Sequence, residues 1–132
     1  MSPIANMLVQ IKNAQAVSAE RVSIPFSAMK FEISKILKEK KFISDVEKKK
    51  RKLRKAEVNF LDIMLKYEDG VGAINGIKLI SKPSRRMYAK KGELKPVKSG
   101  YGISVISTSK GLMTGEDSKK AGLGGELIFE IW

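Results

Sequence analysis

The stretch Val58-Asn59-Phe60-Leu61-Asp62-Ile63-Met64-Leu65-Lys66-Tyr67 decides the reading of the first half of the chain. Leu61, Ile63, Leu65 and Tyr67 alternate with Asp62 and Lys66, which is the period of a strand with one apolar face. Phe42 to Val46 reads as a second strand, and the two predict a hairpin. Between them runs Lys48-Lys49-Lys50-Arg51-Lys52-Leu53-Arg54-Lys55, seven cations in eight residues, whose self-repulsion predicts a projecting hairpin tip. Further upstream the period becomes helical. Ser2 and Pro3 open a helix in which Ile4, Met7, Leu8 and Ile11 share a face as far as residue 16. Arg21 to Pro25 is a short strand. Ser27 then caps a helix with Met29, Ile33, Ile36 and Leu37 on one side and Lys30, Lys35 and Lys38 on the other. The order is αβαββ.

Downstream, Glu68-Asp69-Gly70-Val71-Gly72 is turn-like and divides the chain into an expected N-terminal αβαββ domain, 1–69, and a C-terminal domain, 70–132. Strand candidates follow at Ile74 to Ser81, Arg86 to Ala89 and Ile103 to Ser107, and Leu127, Phe129 and Ile131 alternate at the end. Thr114 with Asp117 three residues on starts one short helix. The expected fold class is therefore α+β, an αβαββ half packed against a mainly β half with a short helix.

The chain has 132 residues, enough for one domain or two small ones, and 42% of them are hydrophobic, enough for a folded core. Its 26 Lys and Arg against 14 Asp and Glu leave a charge of +12, which points to a polyanionic partner. No apolar run exceeds three residues and the start lacks the pattern of a signal peptide, so a cytoplasmic protein with no membrane partner is expected. Cysteine and histidine are absent, which removes disulfides, zinc sites of the Cys/His type, thiol nucleophiles and the usual base near neutral pH. Glu57 and Asp62 lie five apart on one strand and face opposite sides, a poor acid/base couple. Glu116 and Asp117 suit the first turn of a helix better than a metal. Neither Gly70-Val71-Gly72 nor Gly122-Leu123-Gly124-Gly125 completes a phosphate-loop or dinucleotide signature. No cofactor, metal or enzymatic activity is expected.

Binding is a better reading. The Lys48 to Lys55 run suits phosphates without regard to sequence, or is a solvated tip. Lys82 to Lys98 holds seven Lys and Arg against Glu93 and includes Arg85, Arg86 and Tyr88, a mixture fit to stack on unpaired bases, unless Tyr88 is a half-buried strand residue among solubilising lysines. Ser107-Thr108-Ser109-Lys110-Gly111 sets three hydroxyls before a turn glycine, able to bond base edges, 2′-hydroxyls or phosphates; an ordinary strand exit has the same composition. Gly122 to Gly125 permits close approach of a ligand or simply stops a helix. An unselective nucleic-acid or anionic-membrane binder is the main rival reading, and an enzyme using carboxylates and lysines is a third.

Gly102-Ile103-Ser104-Val105-Ile106-Ser107-Thr108-Ser109-Lys110-Gly111-Leu112-Met113-Thr114, followed by Ala121-Gly122-Leu123-Gly124-Gly125-Glu126, closely resembles the bacterial ribosomal protein S8 family. Pro3-Ile4-Ala5-Asn6-Met7-Leu8, Ile11-Lys12-Asn13, Ser81-Lys82-Pro83 and Arg86-Met87-Tyr88 extend the likeness along the chain. The resemblance implies a two-part protein of the small ribosomal subunit, monomeric when free. It would bind an irregular helix in the central domain of 16S ribosomal RNA early in assembly, neighbour the fifth small-subunit protein, and repress its own operon through a messenger-RNA mimic. It also implies that Ser107, Thr108, Ser109, Gly124 and Glu126 touch the helix core and that Tyr88 supports it. Lys110, Gly125 and Arg86 complete that candidate RNA-binding set, with Lys30 and Lys55 as further cationic contacts. The chain departs from the family in its Lys48 to Lys55 run and in Ser84, where a glycine is common.

Overall fold

The computed structural model describes residues 2–90, 97 and 101–132. The part of the Lys82 to Lys98 stretch carrying Lys91, Glu93, Lys95 and Lys98 lies outside the described residues. The chain is of the mixed α+β class and divides into two units, residues 3–73 and 74–132. Among the described residues no helix is long and apolar enough to cross a membrane.

In the first unit, α1 (Pro3–Ala16), β1 (Arg21–Pro25), α2 (Ala28–Glu39), β2 (Ile43–Leu53) and β3 (Ala56–Leu65) follow the expected order. The sheet is antiparallel in the order β1-β3-β2. Met7, Leu8 and Ile11 of α1, Ile33 and Leu37 of α2, and Ile24, Ile43, Leu61 and Ile63 of the sheet are buried. The helical and strand periods place all of these side chains in one core. The Ser27 hydroxyl accepts from the Lys30 amide at 3.1 Å, so the N-cap read from the sequence sets the start of α2. Met29 does not join the apolar face; it sits in the first turn of the helix and is exposed, while Ser34 is buried and donates to the Lys30 carbonyl at 2.8 Å.

The cationic run is mostly strand, and only its end is the hairpin tip. Lys48 to Leu53 continue β2, paired residue by residue with Leu61 back to Ala56, and only Arg54 and Lys55 turn. Backbone pairing along the whole of β3 extends the strand, and alternation sends successive cations to opposite faces, which relieves the repulsion expected of a linear array. At the turn Arg54 takes a left-handed backbone, φ 56°. The strand read as Val58 to Tyr67 ends at Leu65. Tyr67 instead opens a small hairpin, β4 (Tyr67–Glu68) with β5 (Val71–Gly72), and its hydroxyl donates to the Ala19 carbonyl at 2.6 Å. The turn-like stretch Glu68 to Gly72 therefore belongs to that hairpin, which turns at Asp69-Gly70 inside the first unit.

The second unit is a five-stranded antiparallel sheet: β6 (Ile77–Leu79), β7 (Tyr88–Ala89), β8 (Ile103–Thr108), β9 (Gly111–Thr114) and β10 (Gly125–Ile131). β10 is central, with β8 and then β9 on one side and both β6 and β7 on the other. Val105, Ile106, Ile128, Phe129 and Ile131 form its core. β6 and β7 are shorter than their sequence patterns suggest. α3 (Gly115–Ala121) starts at Thr114, whose hydroxyl accepts from the Asp117 amide at 3.1 Å, and stops at Gly122 in the left-handed conformation. Residues 111–114, which no strand pattern marks, form β9, because the two-residue connection Ser109-Lys110 closes a tight hairpin with β8.

Candidate nucleic-acid interface

The registers of β10 bring three of the sequence candidates into line. Glu126 pairs with Tyr88 of β7 on one side and with Ser107 of β8 on the other, and Ser107 pairs in turn with Leu112 of β9. Directly opposed residues in a sheet present their side chains on the same face. Tyr88, Glu126, Ser107 and Leu112 thus form a row across four strands. Tyr88 is 70% exposed despite its place in a strand, so its ring is open for stacking.

The next row, Ala89, Gly125, Thr108 and Gly111, is made of small residues. A β-carbon on Gly125 would collide with the Ser107 carbonyl oxygen and crowd the Thr108 backbone. Glycine is what lets β10 come close enough to β8 for Glu126 to lie beside Ser107. Gly124 belongs to the segment between the α3 stop and this strand.

The three hydroxyls of the turn do different work. Thr108 accepts from the Lys110 amide at 3.1 Å and donates to the Gly111 carbonyl at 2.8 Å, so it builds the hairpin. Gly111 completes that turn with φ 109°. Among the described residues the hydroxyls of Ser107 and Ser109 have no partner, and Lys110 is exposed. Two free hydroxyls and one cation project where the sequence suggests three equivalent groups.

Arg86 is held in a fixed place. Lys82 and Arg85 exchange backbone hydrogen bonds at 2.9 Å, closing the turn at Pro83-Ser84 without a glycine. Ser81 Oγ accepts from the Met87 amide at 2.9 Å, and the Met87 carbonyl accepts from the Leu127 amide at 2.9 Å. From this clamped segment Arg86 Nη1 donates to Glu126 Oε2 at 3.1 Å.

Lys30 and Lys55 belong to the first unit, at α2 and at the β2–β3 turn. Lys30 Nζ donates to the Pro25 carbonyl at 3.3 Å, and Lys55 is exposed. The extended β2 sorts its cations by face. On one face Asp62, only 3% exposed, accepts from the Ser23 hydroxyl and from Lys49 at 3.0 Å, with Arg51 at 3.8 Å. Arg51 also lies 4.9 Å from the Phe60 ring centroid and donates to Ser23 at 3.0 Å. These bonds, the Ser23 hydroxyl foremost, hold the Asp62 carboxyl below the usual carboxylate range. On the opposite face Lys48 covers the Phe26 ring at 4.4 Å, while Lys50 and Lys52 have no partner among the described residues. Composition presents the run as uniform. The acid Asp62 in the middle of an apolar strand, joined by Glu47 at 3.6 Å from Lys49, is the signal that part of the run is neutralised.

Comparison with known proteins settles the lineage. The profile of the family described as "Ribosomal protein S8" matches residues 2–132. The chain belongs to the ribosomal protein S8 family. It is 46% identical over 131 residues to the small ribosomal subunit protein uS8 of Caldanaerobacter subterraneus subsp. tengcongensis, covering 98% of this chain and 96% of that one. It is 43% identical to the uS8 of Halothermothrix orenii, with the same coverage, and 42% identical over 130 residues to that of Mycoplasma mobile, covering 98% and 95%. As a member of the S8 family the chain is a structural constituent of the small ribosomal subunit, which in bacteria is cytoplasmic, and is not an enzyme. Its partners are the ribosome and ribosomal RNA.

Proposed function

We propose that the chain binds the central domain of 16S ribosomal RNA directly, helps assemble the platform of the small subunit, and selects its site with the C-terminal row. The observation that carries this reading is the alignment of the exposed Tyr88 with the half-buried Glu126 and Ser107 on one face, beside the Ser109 hydroxyl, free among the described residues, and the Lys110 ammonium. A stacking surface, an acceptor and small two-way hydroxyls suit unpaired bases and 2′-hydroxyls of an irregular helix better than a regular duplex. In this reading the C-terminal region, 70–132, recognises, and the cations of the N-terminal region, Lys50, Lys52, Lys55 and Lys30 among them, add affinity that depends on salt.

The family likeness extends the reading to contact with the fifth small-subunit protein and to repression of the chain's own operon, where a messenger-RNA mimic would occupy the same row. Competition between a labelled central-domain fragment and bulk transfer RNA tests the central claim. Preference for the fragment at physiological salt is expected; equal displacement by both RNAs would reduce the chain to an unselective polyanion binder.

A further inference from the structure

A carboxylate in an RNA site is a liability, because every nearby phosphate repels it. Glu126 is nevertheless in the middle of the row, its side chain 18% exposed, between Tyr88 and Ser107. Its register is fixed on both sides, so the residue cannot leave this face of the sheet without breaking strand pairing, although its side chain can still rotate. The only cation on it among the described residues is Arg86, which reaches one oxygen, Oε2, and keeps 56% of its own side chain exposed.

We propose that Arg86 is the positioning residue for Glu126, a role that rests on the recognition reading above. Its guanidinium cancels the carboxylate charge at the row and holds the group in one rotamer. The second oxygen, Oε1, which has no partner among the described residues, is thereby left aimed outward as an acceptor for an exocyclic base amine or a 2′-hydroxyl. The guanidinium is thus committed within the protein rather than to a phosphate. The clamp from Ser81 to Met87 and the closed Lys82–Arg85 turn give it a fixed origin, as a residue that must hold another's geometry requires.

Four full-length proteins test this: the parent, Arg86→Gln, Glu126→Gln and the double variant, which has the parent's net charge. Each is titrated with the central-domain fragment and with bulk transfer RNA over a salt series, after its fold is checked by circular dichroism. Arg86→Gln is expected to weaken the fragment about tenfold, the scale of one charge-assisted hydrogen bond, and transfer RNA much less. Because glutamine keeps an acceptor but carries no charge, adding Arg86→Gln to Glu126→Gln should change the preference little. Equal losses on both RNAs, independent of residue 126 and accompanied by a fall in salt slope of about 0.7 to 0.9, would make Arg86 an ordinary phosphate contact and overturn the proposal. A parent chain without preference for the fragment would overturn the recognition reading itself, and the positioning role with it.

Discussion

The β2–β3 hairpin and the β7-β10-β8-β9 end of the second sheet both present polar groups on strands, yet they organise them in opposite ways. The hairpin carries many charges and disposes of some: Asp62 and Phe60 engage Lys49 and Arg51, while Lys50 and Lys52 stay free among the described residues. The row at the end of the second sheet has few polar groups, each placed by strand register and by the absence of a side chain at Gly125. Abundant charge on long side chains confers affinity with little choice, whereas a few groups on a fixed backbone confer choice. The contrast also separates two kinds of damage, loss of adhesion and loss of discrimination.

The largest effect is expected from Gly125→Val. Its branched side chain has no space against the Ser107 carbonyl, so β10 must move away from β8, at a cost of about 2 to 3 kcal/mol in stability. Denaturant unfolding followed by the fluorescence of Trp132, at the end of the same sheet, measures it, and preference for the central-domain fragment should vanish. Unchanged preference would detach recognition from the row.

Asp62→Ala probes the other side of the comparison. Removing the buried acid leaves the Ser23 hydroxyl without its acceptor and strips Lys49 and Arg51 of their shared partner, Lys49 keeping Glu47 at 3.6 Å and Arg51 keeping Ser23 at 3.0 Å; because both cations remain half-exposed the expected loss is about 2 kcal/mol. Since the folded-state pKa of Asp62 is lowered, its stabilising contribution is present above the unfolded value of about 3.9 and is lost as the pH falls through the folded value. The gap between parent and variant, read from hydrogen exchange of the β3 amides, should therefore close in acid; a gap constant down to about pH 2, well below the unfolded value, would show that charge is not its source.

Ser107→Ala should leave stability within about 0.5 kcal/mol and cost about 1 to 3 kcal/mol in binding the fragment, the range for a partner left unsatisfied. Its loss should fall on the fragment and spare transfer RNA. Thr108→Ala offers a control in the same turn, because that hydroxyl is used within the hairpin and its removal should lower the melting temperature as well.

The smallest effect belongs to Lys50→Gln with Lys52→Gln. All RNAs should weaken alike, and the salt slope should fall by about 0.7 to 0.9 for each phosphate that is no longer neutralised. Lys49→Gln should change that slope less, because Asp62 already holds its ammonium. Equal slopes for Lys49 and Lys50 variants would erase the distinction between the two faces of β2.

Much of this architecture is legible in local pattern. Apolar spacing identifies α1, α2 and β3, and single side chains mark helix starts at Ser27 and Thr114, because caps and periodicity depend on neighbours within about one turn. The sequence also suffices to exclude Cys and His chemistry and to single out Ser107 to Gly111 together with Gly122 to Glu126. It does not show that Lys48 to Leu53 form a strand, since a run of like charges looks unfoldable until β3 supplies the pairing. Nor does it distinguish Thr108, which builds the turn, from Ser107 and Ser109, whose hydroxyls have no partner among the described residues. Those outcomes depend on groups distant in sequence: Asp62 beneath Arg51, Gly125 against Ser107, and Glu126 beside Arg86, forty residues apart. Composition establishes that the chain is cationic and local period that it folds as α+β, but which charges are free and which hydroxyls are available is decided by strand register, a long-range property that only the tertiary structure contains.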